Sequence, residues 1–210
     1  MAIIRQIVLD LGGVIFDIDY QHTIDAFKKL DFRNFEQFYS KAKQADLFDK
    51  FEKGRVSSSV FCEEVRSYMN QEISDTAIRD AWNAMLIGIP ERNNISLAAL
   101  KDHFPLYLLS NTNLIHLEAV ETMIEKNSSF ENFSSQFIKL YLSCITGNRK
   151  PESSAFQQIL DEQNILAEET LFVDDSIQHI EGAKKIGLQT LHIATNEGLN
   201  VVLNKLALSI

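Results

Sequence analysis

The sequence predicts an α/β fold: a doubly wound parallel sheet with an all-helical insertion behind its first strand. Three observations carry this. Short apolar runs recur along the chain and each ends on a polar residue at a turn; amphipathic helical stretches separate them; and one long interval, 18 to about 88, holds helical stripes without a convincing strand.

The first run, Ile7-Val8-Leu9, ends on Asp10 and meets Gly12-Gly13, the pattern of a buried parallel strand entering a tight turn. Leu106-Tyr107-Leu108-Leu109 follows Pro105 and ends on Ser110; Thr170-Leu171-Phe172-Val173 ends on Asp174-Asp175; Leu188 to Ile193 follows Gly187. A weaker run, Leu140 to Cys144, precedes the loop from Thr146 to Pro151. Helical patterns fill 113–126, 152–164, 176–186 and 197–208, so the elements alternate as βαβ units of a Rossmann-like sheet. In the long interval Ala77, Ile78, Ala81, Trp82, Met85 and Leu86 form one apolar stripe. The interval is too long for a crossover and too apolar for a loop. It reads as a helical cap domain over 17–88, with the core domain made of 1–16 and 89–210. Trp82 and the many phenylalanines of this interval, from Phe27 to Phe61, read as cap core rather than a sugar platform, with Phe48, Phe51 and Glu52 the ones to watch.

The 210 residues carry 29 acidic against 20 basic side chains, a net charge of −9, and a pI near 5.0. That balance argues against nucleic-acid or anionic-membrane partners. Cys62 and Cys144 show neither metal nor redox spacing, which fits a reducing compartment. With no leader pattern and no run long enough to span a bilayer, the chain reads as cytoplasmic and complete from Met1. The five histidines show no ligand spacing and read as surface or helix-face residues.

Asp10, Ser110, the Arg149-Lys150-Pro151 loop and Asp174-Asp175 all fall at or just beyond strand ends. Ligands of open α/β sheets bind there, so residues far apart in sequence are expected to converge. Each also has a plain structural reading: Asp10 as a turn acceptor, Ser110 as a turn residue, Lys150 as a loop charge, Asp174-Asp175 as a helix cap. Together they form a site with three carboxylates and one ammonium. Two carboxylates about 4 Å apart repel by roughly 4 kcal/mol at an effective dielectric near 20, so the cluster calls for a cation. Carboxylate oxygens with backbone carbonyls and waters are the ligands of Mg²⁺, which characteristically shares a phosphate. The chemistry that fits is phosphoryl transfer to Asp10, with Ser110 on a transferring oxygen and Lys150 offsetting the spreading charge.

Asp10-Leu11-Gly12-Gly13-Val14, Leu108-Leu109-Ser110-Asn111, Gly147-Asn148-Arg149-Lys150-Pro151 and Phe172-Val173-Asp174-Asp175, in that order, resemble the four motifs of the haloacid dehalogenase superfamily of hydrolases. The resemblance covers essentially the whole chain and is nearest to bacterial sugar-phosphate phosphatases acting on α-D-glucose 1-phosphate. It implies Asp10 as nucleophile and Mg²⁺ ligand, the Gly12 carbonyl and Asp175 as further ligands, and Asp174 supporting the metal shell. Ser110, Asn111 and Lys150 would hold the phosphate of a small phosphorylated metabolite. One departure matters. Most phosphatases of the superfamily carry an aspartate two residues after the nucleophile, as general acid, where this chain has Gly12. General acid–base help is worth roughly 10²- to 10⁴-fold, so a slow enzyme or one favouring good leaving groups, such as anomeric phosphates, is expected. Asp17 or Asp19 would substitute if the following loop folded back. The alternatives are a dehalogenase, which has no need of a metal, and a phosphate-binding protein that has lost turnover.

Overall fold

The computed structural model describes residues 3–32, 34–35, 38–39, 47–69, 72–126 and 133–208. Five parallel strands, β1 (Gln6–Leu9), β4 (Leu106–Ser110), β5 (Lys139–Leu142), β6 (Thr170–Asp174) and β7 (Gln189–His192), form one sheet in the order β5-β4-β1-β6-β7. The chain lays β4 and β5 to one side of β1, then crosses back to place β6 and β7 on the other. The crevice at such a reversal is where ligands of doubly wound sheets bind.

The sheet is covered on both faces, so its central strands are apolar without alternation. Consecutive residues still divide between two cores. Ile7, Leu9, Leu106, Leu108, Leu171 and Val173 pack with Leu97 and Leu100 of α5 (Glu91–His103) and with Val202 and Leu203 of α10 (Asn200–Lys205). Val8, Tyr107, Leu109 and Phe172 pack with Phe156 and Ile159 of α8 (Ser153–Gln163) and with Ile180 and Ala183 of α9 (Ile177–Lys185).

Between β1 and α5 lie α1 (Tyr20–Lys29), α2 (Leu47–Glu52), α3 (Ser58–Ser67) and α4 (Asp75–Asn83). Asp19, Ser57 and Ser74 cap α1, α3 and α4 by accepting from backbone N–H groups of the first turn. The insertion has its own aromatic core. Phe27 stacks on Phe35 at 4.1 Å between centroids, Phe51 on Phe61 at 4.3 Å and Phe48 on Trp82 at 5.4 Å. Ile115, in α6 (Leu114–Glu125) after β4, joins this cluster and anchors it to the sheet domain.

The expectation of a strandless interval is corrected by a short antiparallel pair. β2 (Asp17–Ile18) and β3 (Leu86–Gly88) pair with a bulge at the two ends of the insertion. Elements of two and three residues carry no legible alternation; long-range pairing alone creates them. Asp17 is also taken out of reach of the strand ends, ion-paired with Arg92 at 3.2 Å. Asp19 is committed to the cap of α1. Neither folds back as a substitute acid. Among the described residues no helix is long and apolar enough to cross a membrane.

The insertion lies tight against the core at Gly54, whose φ is +66°. A Cβ there would lie 2.1 Å from the carbonyl oxygen of Cys144, in α7 (Ser143–Thr146). Gly54→Ala is therefore expected to lose the left-handed backbone preference, about 1–2 kcal/mol, and to push the insertion off the core. Urea unfolding and the Tm should both fall; a variant as stable as the parent would contradict the contact.

Candidate active site

The ladder between β1 and β6 pairs Leu9 with Val173, and the N–H of Asp10 donates to the Val173 carbonyl at 3.0 Å. That register sets Asp10 beside Asp174. The partner pairing, Leu9 with Leu108, brings Ser110 to the same strand ends from the other side. Gly13, at φ +79°, turns the chain after β1 where a Cβ would stand 2.3 Å from Asp175 Oδ2. Close approach of that carboxylate thus requires glycine.

Lys150 lies between the two acidic strands. Its Nζ, completely buried, is 2.7 Å from Asp10 Oδ1 and 2.6 Å from Asp174 Oδ2. Its main chain is clamped by Asn111: Lys150 N–H donates to Asn111 Oδ1 at 2.9 Å, and Asn111 Nδ2 donates to the Lys150 carbonyl at 2.8 Å. Asn111 thereby sets where the ammonium can reach. Asp10 Oδ1 also accepts from Leu11 N–H at 2.7 Å. Asp174 Oδ1 accepts from Ser176 N–H at 2.8 Å and lies 3.0 Å from His179 Nδ1. Asp175 Oδ2 accepts from Thr195 Oγ1 at 2.6 Å.

Burial raises Asp10 to a pKa of about 8; Lys150 opposes this and the charges of Asp174 and Asp175 add to it. For Asp174 burial acts in the same sense, but the Lys150 charge and the His179 contact outweigh it and hold the carboxyl well below the usual range. Lys150, despite burial, is raised by Asp10 and Asp174. One ammonium thus serves the two buried carboxylates of Asp10 and Asp174, and the Asp10 charge remains under-compensated. A divalent cation fits that deficit, and the donors facing the cleft are the hard oxygens it prefers.

A cleft of about 460 Å³ opens above this cluster. Asp10, Gly12, Ser110, Asn111, Lys150 and Asp175 line its base. Asp174 lies beneath, fully buried and absent from the lining, as a support for Lys150. All seven residues singled out in the sequence are therefore gathered at one end of the sheet.

Two of the histidines read as surface or helix-face residues do stand on helices, and there they reach the site. His179 has a ligand nitrogen within 4.8 Å of carboxylate oxygens of Asp10 and Asp174. Its signal was its place in the first turn of the helix that follows Asp174-Asp175. His116 lines the cleft, stacks on Trp82 at 5.2 Å and has Nδ1 2.8 Å from Asn83 Oδ1; burial lowers it to about 3, so the ring is neutral. The insertion supplies the remaining wall through Tyr20, Tyr39, Phe48, Asp49 and Glu52.

A family model described as haloacid dehalogenase-like hydrolase matches residues 4–187. The chain is 29% identical over 205 residues to D-ribitol-5-phosphate phosphatase of Bacteroides thetaiotaomicron, covering 96% of this chain and 99% of that protein. A HAD family enzyme of the same organism, solved in complex with magnesium and inorganic phosphate, superposes with a TM-score of 0.84 at 33% identity, across 92% of this chain and 96% of that one. A HAD-like family hydrolase from Porphyromonas gingivalis gives 0.86 at 29% identity, with all of both chains covered.

Lys150→Met would leave Asp10 and Asp174 buried without their cation, at a cost of about 3–5 kcal/mol in metal-free buffer. Without the ammonium the burial of Asp174 is no longer offset by the Lys150 charge, so its carboxyl takes up a proton at higher pH than in the native protein and the deficit shrinks as it does. Urea unfolding should show a larger loss at pH 8 than at pH 5. An equal loss at both would mean that charge is not the cause.

Proposed function

The chain belongs to the haloacid dehalogenase-like hydrolase family, and from that premise we propose that it is a magnesium-dependent phosphomonoesterase acting through an aspartyl phosphate on a small sugar or polyol phosphate. The observation that carries this reading is the contact of buried Lys150 with both Asp10 and Asp174, at the floor of a cleft that ends on Asp10. In the same reading residues 1–16 and 89–210 form the catalytic core and 17–88 a cap domain, with the β2–β3 pair at their seam.

Among the described residues both polar contacts of the Asp10 carboxylate fall on Oδ1, which leaves Oδ2 to attack phosphorus. A bond forms from Oδ2 to phosphorus as the bond from phosphorus to the alcohol oxygen breaks in line, the departing alkoxide taking its proton from water. Ser110 and Lys150 hold the non-bridging oxygens, and Asp174 keeps the ammonium in place. Water then attacks the aspartyl phosphate, releasing inorganic phosphate and restoring the carboxylate. Asp10, Asp175 and the Gly12 carbonyl would hold Mg²⁺, whose positive charge would let a phosphate dianion enter an acidic site.

Gly12 offers the leaving alcohol no proton. This favours leaving groups of low pKa, and a hexose 1-phosphate has one. The relative named for D-ribitol 5-phosphate supports instead a phosphate on a primary alcohol. Comparing kcat/KM for α-D-glucose 1-phosphate, glucose 6-phosphate and D-ribitol 5-phosphate separates them. Higher values for both primary esters would rule out control by leaving-group acidity.

Asp10→Asn is expected to lower magnesium-dependent hydrolysis of p-nitrophenyl phosphate by at least about 10³-fold. Turnover that survives the change would refute the covalent route. Removing the metal with EDTA should weaken inorganic phosphate binding, read by calorimetry, by at least about tenfold, equivalent to about 1.4 kcal/mol. Equal affinity with and without Mg²⁺ would contradict the proposed charge balance.

A further inference from the structure

The end of β7 and the loop that follows it meet three parts of the molecule at once. Thr195 Oγ1 donates to Asp175 Oδ2 at 2.6 Å, and His192 Nε2 lies 3.0 Å from the Asp175 main-chain oxygen. The Asn196 N–H donates to the Gly13 carbonyl at 2.7 Å, in the turn after Asp10. The Asn196 carboxamide then pairs with both main-chain groups of Ile18 in β2: Oδ1 accepts from its N–H at 3.0 Å and Nδ2 donates to its carbonyl at 2.8 Å. Arg92, ion-paired with Asp17, donates to the Asn196 carbonyl at 3.1 Å. The residue after Thr195 is thus tied to the nucleophile's turn, to the seam of the insertion and to α5, and this anchorage fixes where the threonine hydroxyl stands.

Asp175 lines the cleft beside Asp10, and Thr195 is the one hydrogen-bond donor on its carboxylate among the described residues. That bond falls on Oδ2, the oxygen pressed against Gly13, where a Cβ would stand 2.3 Å away. Oδ1 is left to face a metal. Mg²⁺ demands near-octahedral geometry with oxygens at about 2.0–2.1 Å, so a carboxylate whose orientation is set beforehand gains affinity for it. Ca²⁺ takes a looser shell of roughly 6–8 oxygens and readily accepts a carboxylate through both of its own. A hydroxyl already on Oδ2 opposes that second mode.

We infer that Thr195 is a positioning residue: by holding Oδ2 it presents Asp175 to a divalent cation through Oδ1 alone, which favours Mg²⁺ over Ca²⁺. The inference rests on the metal reading of the proposed function and deepens it, extending the cation's seat to the loop after β7.

The test is metal binding by the full chain without substrate, with Mn²⁺ as an EPR probe and Mg²⁺ and Ca²⁺ as competitors; the Mn²⁺ signal lost in Asp175→Asn is that of this site. Thr195→Val, which keeps the shape and removes the donor, should weaken Mg²⁺ binding by at least about tenfold. Ca²⁺ binding should fall by less, so that the preference for Mg²⁺ narrows. Thr195→Ser, which restores the hydroxyl, should recover both affinity and preference, whereas a merely structural role would not distinguish the hydroxyl from the methyl. Thr195 is exposed, and Thr195→Ala, equally without the donor, gives the same readout should the valine variant not fold. Native Mg²⁺ affinity in the variants without the hydroxyl, a parallel loss for both ions, or a serine variant that binds like the valine one would overturn the inference alone. Native protein without an Asp175-dependent Mn²⁺ signal would refute the metal reading itself, and the inference with it.

Discussion

The buried ammonium of Lys150, held between Asp10 and Asp174, is the contact on which the rest of the molecule converges. Two ionised carboxylates in a low-dielectric site need a cation or a proton between them, and each part of the fold contributes to supplying the cation. The β1–β6 register makes the acids neighbours. The segment after β5 carries the lysine across the crevice, and the Asn111 carboxamide fixes its backbone from β4's side. Since one ammonium does not balance every acid at these strand ends, the site is left with a demand for positive charge. A divalent cation would meet that demand, and in the proposed function a phosphate would follow the cation.

The insertion solves a different problem. Its aromatic core is separate from the two cores of the sheet, so it is built as a body of its own that presents a wall to the strand ends. Contact with the core combines the apolar anchor of Ile115, Gly54 against Cys144, and the ion pairs joining α2 to Arg149 and Glu152. In the proposed reading the base of the cleft carries the residues that act on phosphorus.

The legibility of individual elements followed the strength of their local signal. β1, β4 and β6 are buried on both faces, which leaves unbroken apolar runs ending on Asp10, Ser110 and Asp174, and they were evident within a residue of their bounds. β2 and β3 were not, because elements of two and three residues have no periodicity to read. Asp17 and Asp19 show the same limit. Their proximity to Asp10 in sequence suggested a catalytic substitute, but an ion pair with Arg92 and a helix cap hold them elsewhere. His179 and His116 had no spacing to reveal them, since their partners, Asp174 and the Trp82 ring, come into contact only through packing.

The sequence by itself determined the alternation of strands and helices, the placement of polar residues at strand ends, the length and apolar character of the insertion, and the absence of an acid at Gly12. These are local properties, set by periodicity, turn chemistry and residue type. Tertiary structure alone decided that Asp174 lies under Lys150 while Asp175 faces the cleft, that Asn111 clamps a main chain, and that Arg149 meets Glu52 across the boundary of insertion and core. Such relations depend on strand order, register and the docking of one packed body on another. They join residues whose separation in sequence carries no trace of their distance in space.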